Sequence, residues 1–315
     1  MKRVNMKRTI QSVILATAVT AFTACSSDDG GESMPEETSQ TTFKITDAPI
    51  DDAQVEGVFV TLADVRVDGQ SLEGFSKTTI ELSALVEGQT LTLGELDLAA
   101  DSYSSLELVL DTQTDAAGNT PANYIALANG TKEELEASAE TIRVTDGFEV
   151  IAGAANEIVI DFDLRKTITK SQGALEADYA FASTSQLEAG IRVVNEQATG
   201  EIEGTVTDSQ DYAETIIVYA YPEGTFNAEA ETQGEVQFAN AVTSSKVSGL
   251  DNSYSLNFLE EGTYELVFAS YEETEGSVNF ATLLEVESTT GLNLGALTLS
   301  AALQLSANVT VTGTL

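Results

Sequence analysis

The chain has 315 residues, with 51 Asp and Glu against 14 Lys and Arg, a net charge of −37, and neither His nor Trp. Without histidine there is no Ser-His-Asp triad, no Cys-His pair and no histidine-ligated zinc, and so acidic a surface repels nucleic acid and anionic lipid head groups. At 42% hydrophobic residues and four prolines the chain is not a disordered acidic tail, and it is long enough for two separate cores.

Lys2, Arg3, Lys7 and Arg8 precede an apolar run from Val13 to about Ala21 that ends in small residues. This is the layout of a secretory signal peptide over residues 1–24, and it is too short to cross a bilayer. A buried amphipathic helix would alternate polar residues at helical spacing, whereas this run is uniformly apolar. Thr23-Ala24-Cys25 resembles the end of a bacterial lipobox, with Phe22 where Leu is usual. The resemblance implies a diacylglycerol on the Cys25 sulfur and cleavage just before it, so that Cys25 becomes residue one, usually acylated on its new amino group. Cys25 is the only cysteine. Lipidation therefore accounts for a thiol that, in an exported protein, would otherwise point to an intermolecular disulfide. Several acyl chains, each buried methylene contributing about 0.8 kcal/mol, make a stable anchor where a single chain is marginal. The leader holds four of the basic residues and no acidic one, so the exported chain carries about −41. Its membrane contact then comes from the lipid alone.

Residues 25–41 are rich in Ser, Gly and Glu with little to bury, a flexible tether. Ser26-Ser27-Asp28-Asp29 is similar to the acidic export signals that follow the lipid-bearing cysteine of some Bacteroidetes surface lipoproteins, and it fits a plain solvated linker equally well. Beyond the tether, period-two alternation predicts strands at Phe43–Thr46, Val55–Val67, Thr78–Leu82, Thr90–Leu96, Ser105–Leu110 and Tyr124–Ala128. Thr131 with Glu134 three residues on resembles a capping box and predicts a helix over Thr131–Ala139. The run Glu157–Ile168 reads as one strand with Asp161, Asp163 and Arg165 on one face and Ile160, Phe162 and Leu164 on the other.

Lys44–Pro49, Val58–Val67, Phe148–Gly153, Asp161–Thr167 and Arg192-Val193-Val194 together resemble, in order and spacing, the landmarks of domain-of-unknown-function family 4382 over roughly Thr42 to Asn195. That family occurs in bacterial lipoproteins, and the resemblance implies no particular activity. After Gly200 the pattern restarts with Glu201–Thr207, Thr215–Tyr221, Ser253–Phe258, Glu261–Phe268, Gly295–Leu299 and a closing strand within Leu303–Thr312. The Gly-x-Val opening, the Val-Tyr-Ala strand and Gly262-Thr-Tyr264 resemble the carboxypeptidase regulatory-like, transthyretin-like domain. The expected fold is all-β, two β-sandwich domains over residues 42–197 and 198–315.

Candidate sites have to be built from carboxylates, hydroxyls and tyrosines. Asp161 and Asp163, about 7 Å apart on one strand face, suit a hydrolase pair, but Arg165 on that face makes a charge ladder the simpler reading. Oxygen-rich loops at Asp47–Asp52, Asp111–Asn119 and Asp208–Asp211 are candidate calcium sites, the set Asp111, Asp115 and Asn119 first, though none has EF-hand spacing. Tyr219 and Tyr221 share a strand face and, with Tyr264 and Tyr271, form a candidate sugar platform or else core aromatics. The sequence thus points to an exported protein, lipid-anchored at the outer membrane. It would work as a non-catalytic binding, adhesion or scaffold module with a protein or glycan partner; the alternatives are a carbohydrate-binding protein and a carboxylate hydrolase.

Overall fold

The computed structural model describes residues 38–48, 55–137, 139–170, 179–233, 236–274 and 277–315. Cys25, the leader, residues 26–37 of the tether and residues 49–54, which include most of the first oxygen-rich loop, lie outside them. The last four residues expected in the tether, Thr38–Thr41, instead open a paired strand in which Ser39 and Thr41 are buried. Strands make up 56% of the described residues and helices 8%, so the all-β expectation is met, in two curled sheet bodies.

The first body is organised by the 13-residue strand Val55–Val67. It lies central in a seven-stranded sheet, pairing antiparallel with Leu106–Leu110, Tyr124–Leu127 and Thr78–Glu81. A bulge between Leu62 and Asp64 changes the parity of the strand: Val58, Val60 and Leu62 are buried before it, Val65 and Val67 after it. One extra residue is what moves an inward set by one position. The facing four-stranded sheet has the order Ile191–Asn195, Asn156–Asp163, Thr38–Ala48, Leu91–Ala99. Its two central strands run parallel, which places Thr46 beside Asp161 and Ala48 beside Asp163. Every residue from Ile158 to Asp163 is buried, the near-continuous apolar character expected of a parallel strand covered on both faces. Phe43, Ile45, Leu62, Leu108, Ile158, Ile160 and Phe162 are among the residues that fill the space between the sheets.

The second body is one nine-stranded sheet wound around its own core. Along its path lie Thr243–Lys246, Thr215–Pro222, Gly262–Thr274, Ser277–Ser288, Val309–Thr314, Thr199–Thr207 and Ser253–Glu260. The two end strands meet where Ser245 Oγ accepts from the Ser255 N–H at 3.1 Å. Ile202, Val218, Ala220, Leu256, Phe268, Val309 and Val311 point into this core. Gly204 is required here, because a Cβ would run into the Ala307 carbonyl. Tyr264 is buried in the same core, with its hydroxyl donating to the Glu260 carbonyl at 2.9 Å.

Three further expectations need correction. Thr131–Ala139 is not a helix: Lys132–Glu134 is a strand paired with Tyr124–Ala126 through an Asn129-Gly130 turn, with Gly130 at φ +84°. Such a turn fixes a hairpin more strongly than a nearby capping pattern fixes a helix. Lys132 adds to the pairing by lying 4.0 Å from the centre of the Tyr124 ring. The Glu157–Ile168 strand stops at Asp163, whose carboxylate accepts from the Arg165 N–H and caps the short helix Leu164–Thr167. Arg165 therefore leaves the strand face expected for it. Finally, Leu303–Thr312 is two strands, Gln304–Ser306 and Val309–Thr314, and Ser277–Ser288 is a further long strand that the sequence reading left out.

Candidate functional site

In the Asp111–Asn119 loop the acidic groups are already in use. Asp111 Oδ1 accepts from the N–H groups of Gln113 and Thr114 at 2.8 and 3.0 Å, and Oδ2 lies 2.6 Å from Lys77 Nζ. The Lys77 contact, with those turn N–H groups, holds the Asp111 carboxyl down at about 2. Asp115 and Asn119 do come together, but the Asn119 amide donates to both Asp115 oxygens at 3.3 and 3.1 Å, the geometry of an Asx-type turn. Among the described residues no group of three or more His, Cys, Asp or Glu converges as a metal site.

The sugar platform is overturned. Tyr219 and Tyr221 have no exposed surface at all. Their strand, Thr215–Pro222, has core on both sides: Val218 and Ala220 face the interior of the sheet, while the tyrosines lie under the connection that leads to Thr243–Lys246. Phe238 of that connection stacks on Tyr219 with ring centroids 4.1 Å apart. The Tyr219 hydroxyl meets that of Tyr271 at 2.6 Å, and the Tyr221 hydroxyl donates to Glu231 at 2.9 Å. Burial, with Glu231 adding to it, pushes the Tyr221 phenol up.

Asp161 and Asp163 stand in a constellation that the sequence did not reveal. Arg192, on the neighbouring strand, donates Nε and Nη2 to Asp161 Oδ2 at 2.8 and 2.7 Å. Its Nη1 and Nη2 go on to the carbonyls of Phe258 and Asn257 in the second body, at 2.6 and 3.3 Å. Asp163 takes Arg165 Nε and Nη2 at 3.1 and 2.7 Å and Lys166 Nζ at 3.2 Å. Lys166 Nζ also donates to the Ala241 carbonyl at 2.7 Å, and Arg165 lies over the Tyr219 ring at 5.1 Å and reaches the Phe238 carbonyl at 3.5 Å. Burial raises the Asp163 carboxyl, but Arg165 and Lys166 outweigh it and hold the group below the usual carboxylate range. Phe238 and Phe258 both adopt left-handed backbone, φ 54° and 55°, unusual for aromatic residues. In each case the carbonyl is turned toward an arginine of the first body. Three cations of the first body therefore grip backbone oxygens of the second.

Beside this clasp lies a cavity of about 350 Å³, bounded by Thr46, Asp47, Val55 and Asp161 of the first body and by Thr243–Gly249, Asn257 and Phe258 of the second. Asp47 Oδ1 accepts from the Leu164 N–H at 3.2 Å, while Oδ2 is buried with no hydrogen-bond partner. Burial, with Asp163 and Asp161 next, pushes the Asp47 carboxyl well above the usual range. Ser244 Oγ, on the opposite wall, is also buried without a partner. Buried polar atoms are seldom left unpaired. The sequence singled out Asp47 only as one end of an oxygen-rich loop and Ser244 not at all, because the cavity joins segments some two hundred positions apart.

Together these features define an all-β protein of two sheet bodies joined by a charged clasp. Residues 38–180, which supply most of the first body with Asp161, Asp163, Arg165 and Lys166, match the model of the family "Domain of unknown function (DUF4382)". No curated protein matches the chain. Among solved structures it is similar to the TIE protein of Bacillus anthracis at 12% identity and TM-score 0.20, covering 87% of this chain and 34% of that one. The chain thus spans about a third of that protein's length. Similar in the same degree are BcpA, the major pilin subunit of Bacillus cereus, at 10% identity and TM-score 0.20 over 88% of this chain and 71% of that one, and the major pilin protein T-13 of Streptococcus pyogenes, at 10% identity and TM-score 0.18 over 87% and 96%. Scores this low do not define a shared fold.

Proposed function

We propose that this chain is an exported lipoprotein in which a first body of the DUF4382 type and a second, carboxypeptidase regulatory-like body form one non-catalytic binding or adhesion module, held at the outer membrane through Cys25. The observation that carries this reading is the use made of Asp161 and Asp163. A carboxylate hydrolase needs two carboxyl groups free to face a substrate. Here Asp161 is held by two nitrogens of Arg192, and Asp163 by Arg165 and Lys166. Both carboxylates serve to orient cations that hold the second body in place. No helix among the described residues is long and apolar enough to cross a membrane, and the lipobox-like Thr23-Ala24-Cys25 supplies an attachment of another kind.

One observation favours the hydrolase as a second reading: Asp47 and Asp161 line one cavity, and only Asp161 is paired with an arginine. The two readings separate by experiment. In cells fed an alkyne fatty acid the wild-type protein should take up the probe and remain in the membrane fraction, and Cys25→Ser should do neither; labelling of that variant overturns the anchor. Purified protein should leave chromogenic glycosides and esters unchanged. Turnover abolished by Asp47→Asn would establish the hydrolase instead.

A further inference from the structure

The cavity between the bodies has two kinds of wall. Its polar side carries Asp47, Asp161, Glu56 and Glu87 against a single cation, Lys246, so it is net acidic. Lys246 is exposed, and Asp161 is neutralised by Arg192. The two buried polar groups left unsatisfied are Asp47 Oδ2 and Ser244 Oγ, in residues 6% and 4% exposed. Val55, Val247 and Phe258 form an apolar side. The hydroxyls nearby are largely engaged: Thr46 Oγ1 donates to the Leu85 and Gln89 carbonyls, and Ser83 Oγ accepts from the Val58 N–H. The four carboxyl groups make acceptors plentiful on this side.

We propose that this cavity binds a primary alkylammonium group, a free amine or the lysine side chain of a partner, with the head between Asp47 and Ser244 and the stem along Val55, Val247 and Phe258. An ammonium brings three N–H donors and no acceptor, matching an unpaired carboxyl oxygen and an unpaired hydroxyl oxygen. About 350 Å³ falls at the lower end of small-molecule sites, enough for a five-carbon stem. Asp47 lies beside the paired carboxylates Asp161 and Asp163 but carries no ion pair of its own among the described contacts. Burial opposes its ionisation, and a bound ammonium would restore the charged form. Binding therefore releases a proton from Asp47 and tightens as pH rises. The inference rests on the binding reading above but not on the lipid anchor.

The test uses the exported protein in neutral detergent, titrated with n-pentylamine, pentan-1-ol, the Nα-acetyl amide of lysine, calcium and N-acetylglucosamine. Calorimetry should give saturable binding of pentylamine, at least tenfold weaker binding of the uncharged alcohol, and a further gain from pH 6 to pH 8. Lysine amide binding as tightly as pentylamine assigns a partner's side chain; pentylamine alone assigns a free amine. Asp47→Asn should weaken amine binding at least tenfold and Ser244→Ala severalfold. The Asp47→Asn side chain can still accept from the Leu164 N–H, and an unchanged circular dichroism spectrum with a single cooperative melt verifies folding. Amine binding that is absent, or unchanged in Asp47→Asn, overturns the proposal, as does a preference for calcium or the sugar. Any of these leaves the fatty-acid result on Cys25 standing.

Discussion

Asp47 and Asp163 are both buried, both touch the first turn of the same short helix, and titrate in opposite directions. The carboxyl of Asp47 lies against Asp161 and Asp163 of the adjacent parallel strand, with Arg165 nearby and Lys246 and Ser244 across the cavity. Raised above its ordinary 3.8, it keeps a proton in the folded chain that the unfolded chain has lost. Its contribution is full below about pH 4 and is lost as pH rises through the folded value. Asp163 is lowered, so its contribution is present above about pH 4 and lost as pH falls through the folded value. Asp47→Asn should therefore gain on the wild type in urea unfolding between pH 5 and pH 8, and a constant difference would contradict the assignment. Asp163→Asn should cost about 3–5 kcal/mol at pH 7, because Arg165 and Lys166 lose the carboxylate that compensates them in the interior. That penalty should shrink below pH 4. The acid at position 163 was legible in the sequence as part of a charged run. Its partners Arg165 and Lys166 lie two and three residues on and were legible with it, whereas the Arg192 that holds Asp161 comes from another strand.

At the scale of elements, what the sequence disclosed depended on how many faces a strand covers. Val55–Val67 reads directly, bulge aside, because one of its faces is more polar. Ser277–Ser288 does not, since Leu284 and Val286 serve the inner core while Leu283 and Phe280 serve the outer cluster, blurring the alternation. The same doubling hid the fate of Tyr219 and Tyr221. Their cover is an irregular segment without periodicity, fixed by Phe226 N–H donating to Glu265 at 2.7 Å and by the buried Glu231 accepting from the Asn240 N–H at 3.1 Å. The Lys132–Glu134 hairpin was masked by good helix formers, although Asn129-Gly130 announced it. Gly130→Ala tests which signal rules. A side chain at φ +84° is strained, so it should lower stability by about 1–2 kcal/mol, read from the urea midpoint at unchanged slope. A helix in this segment would instead be stabilised by the same change.

For the whole molecule the question is whether two bodies with separate cores behave as one. The segment from Glu37 to Leu315 clusters as a single compact unit, and the contacts described between the halves include a few charged donors on backbone carbonyls. Arg192 is the most consequential of them, since it bonds Asp161 within the first body and the Phe258 and Asn257 carbonyls of the second. Arg192→Ala removes both sets and leaves Asp161, 4% exposed, without its cation. Two effects then separate: the first body loses stability as one half of a buried ion pair is stranded, and the second loses its tie to the first. Calorimetry should change from one cooperative transition to two, the first body melting earlier, and a protease should gain access near residues 196–199, where the bodies join. Arg192→Lys should restore part of the ion pair but little of the tie, because one ammonium cannot reproduce a fork that serves a carboxylate and two carbonyls at once. A single transition at the wild-type midpoint in Arg192→Ala would mean that apolar contact alone couples the bodies.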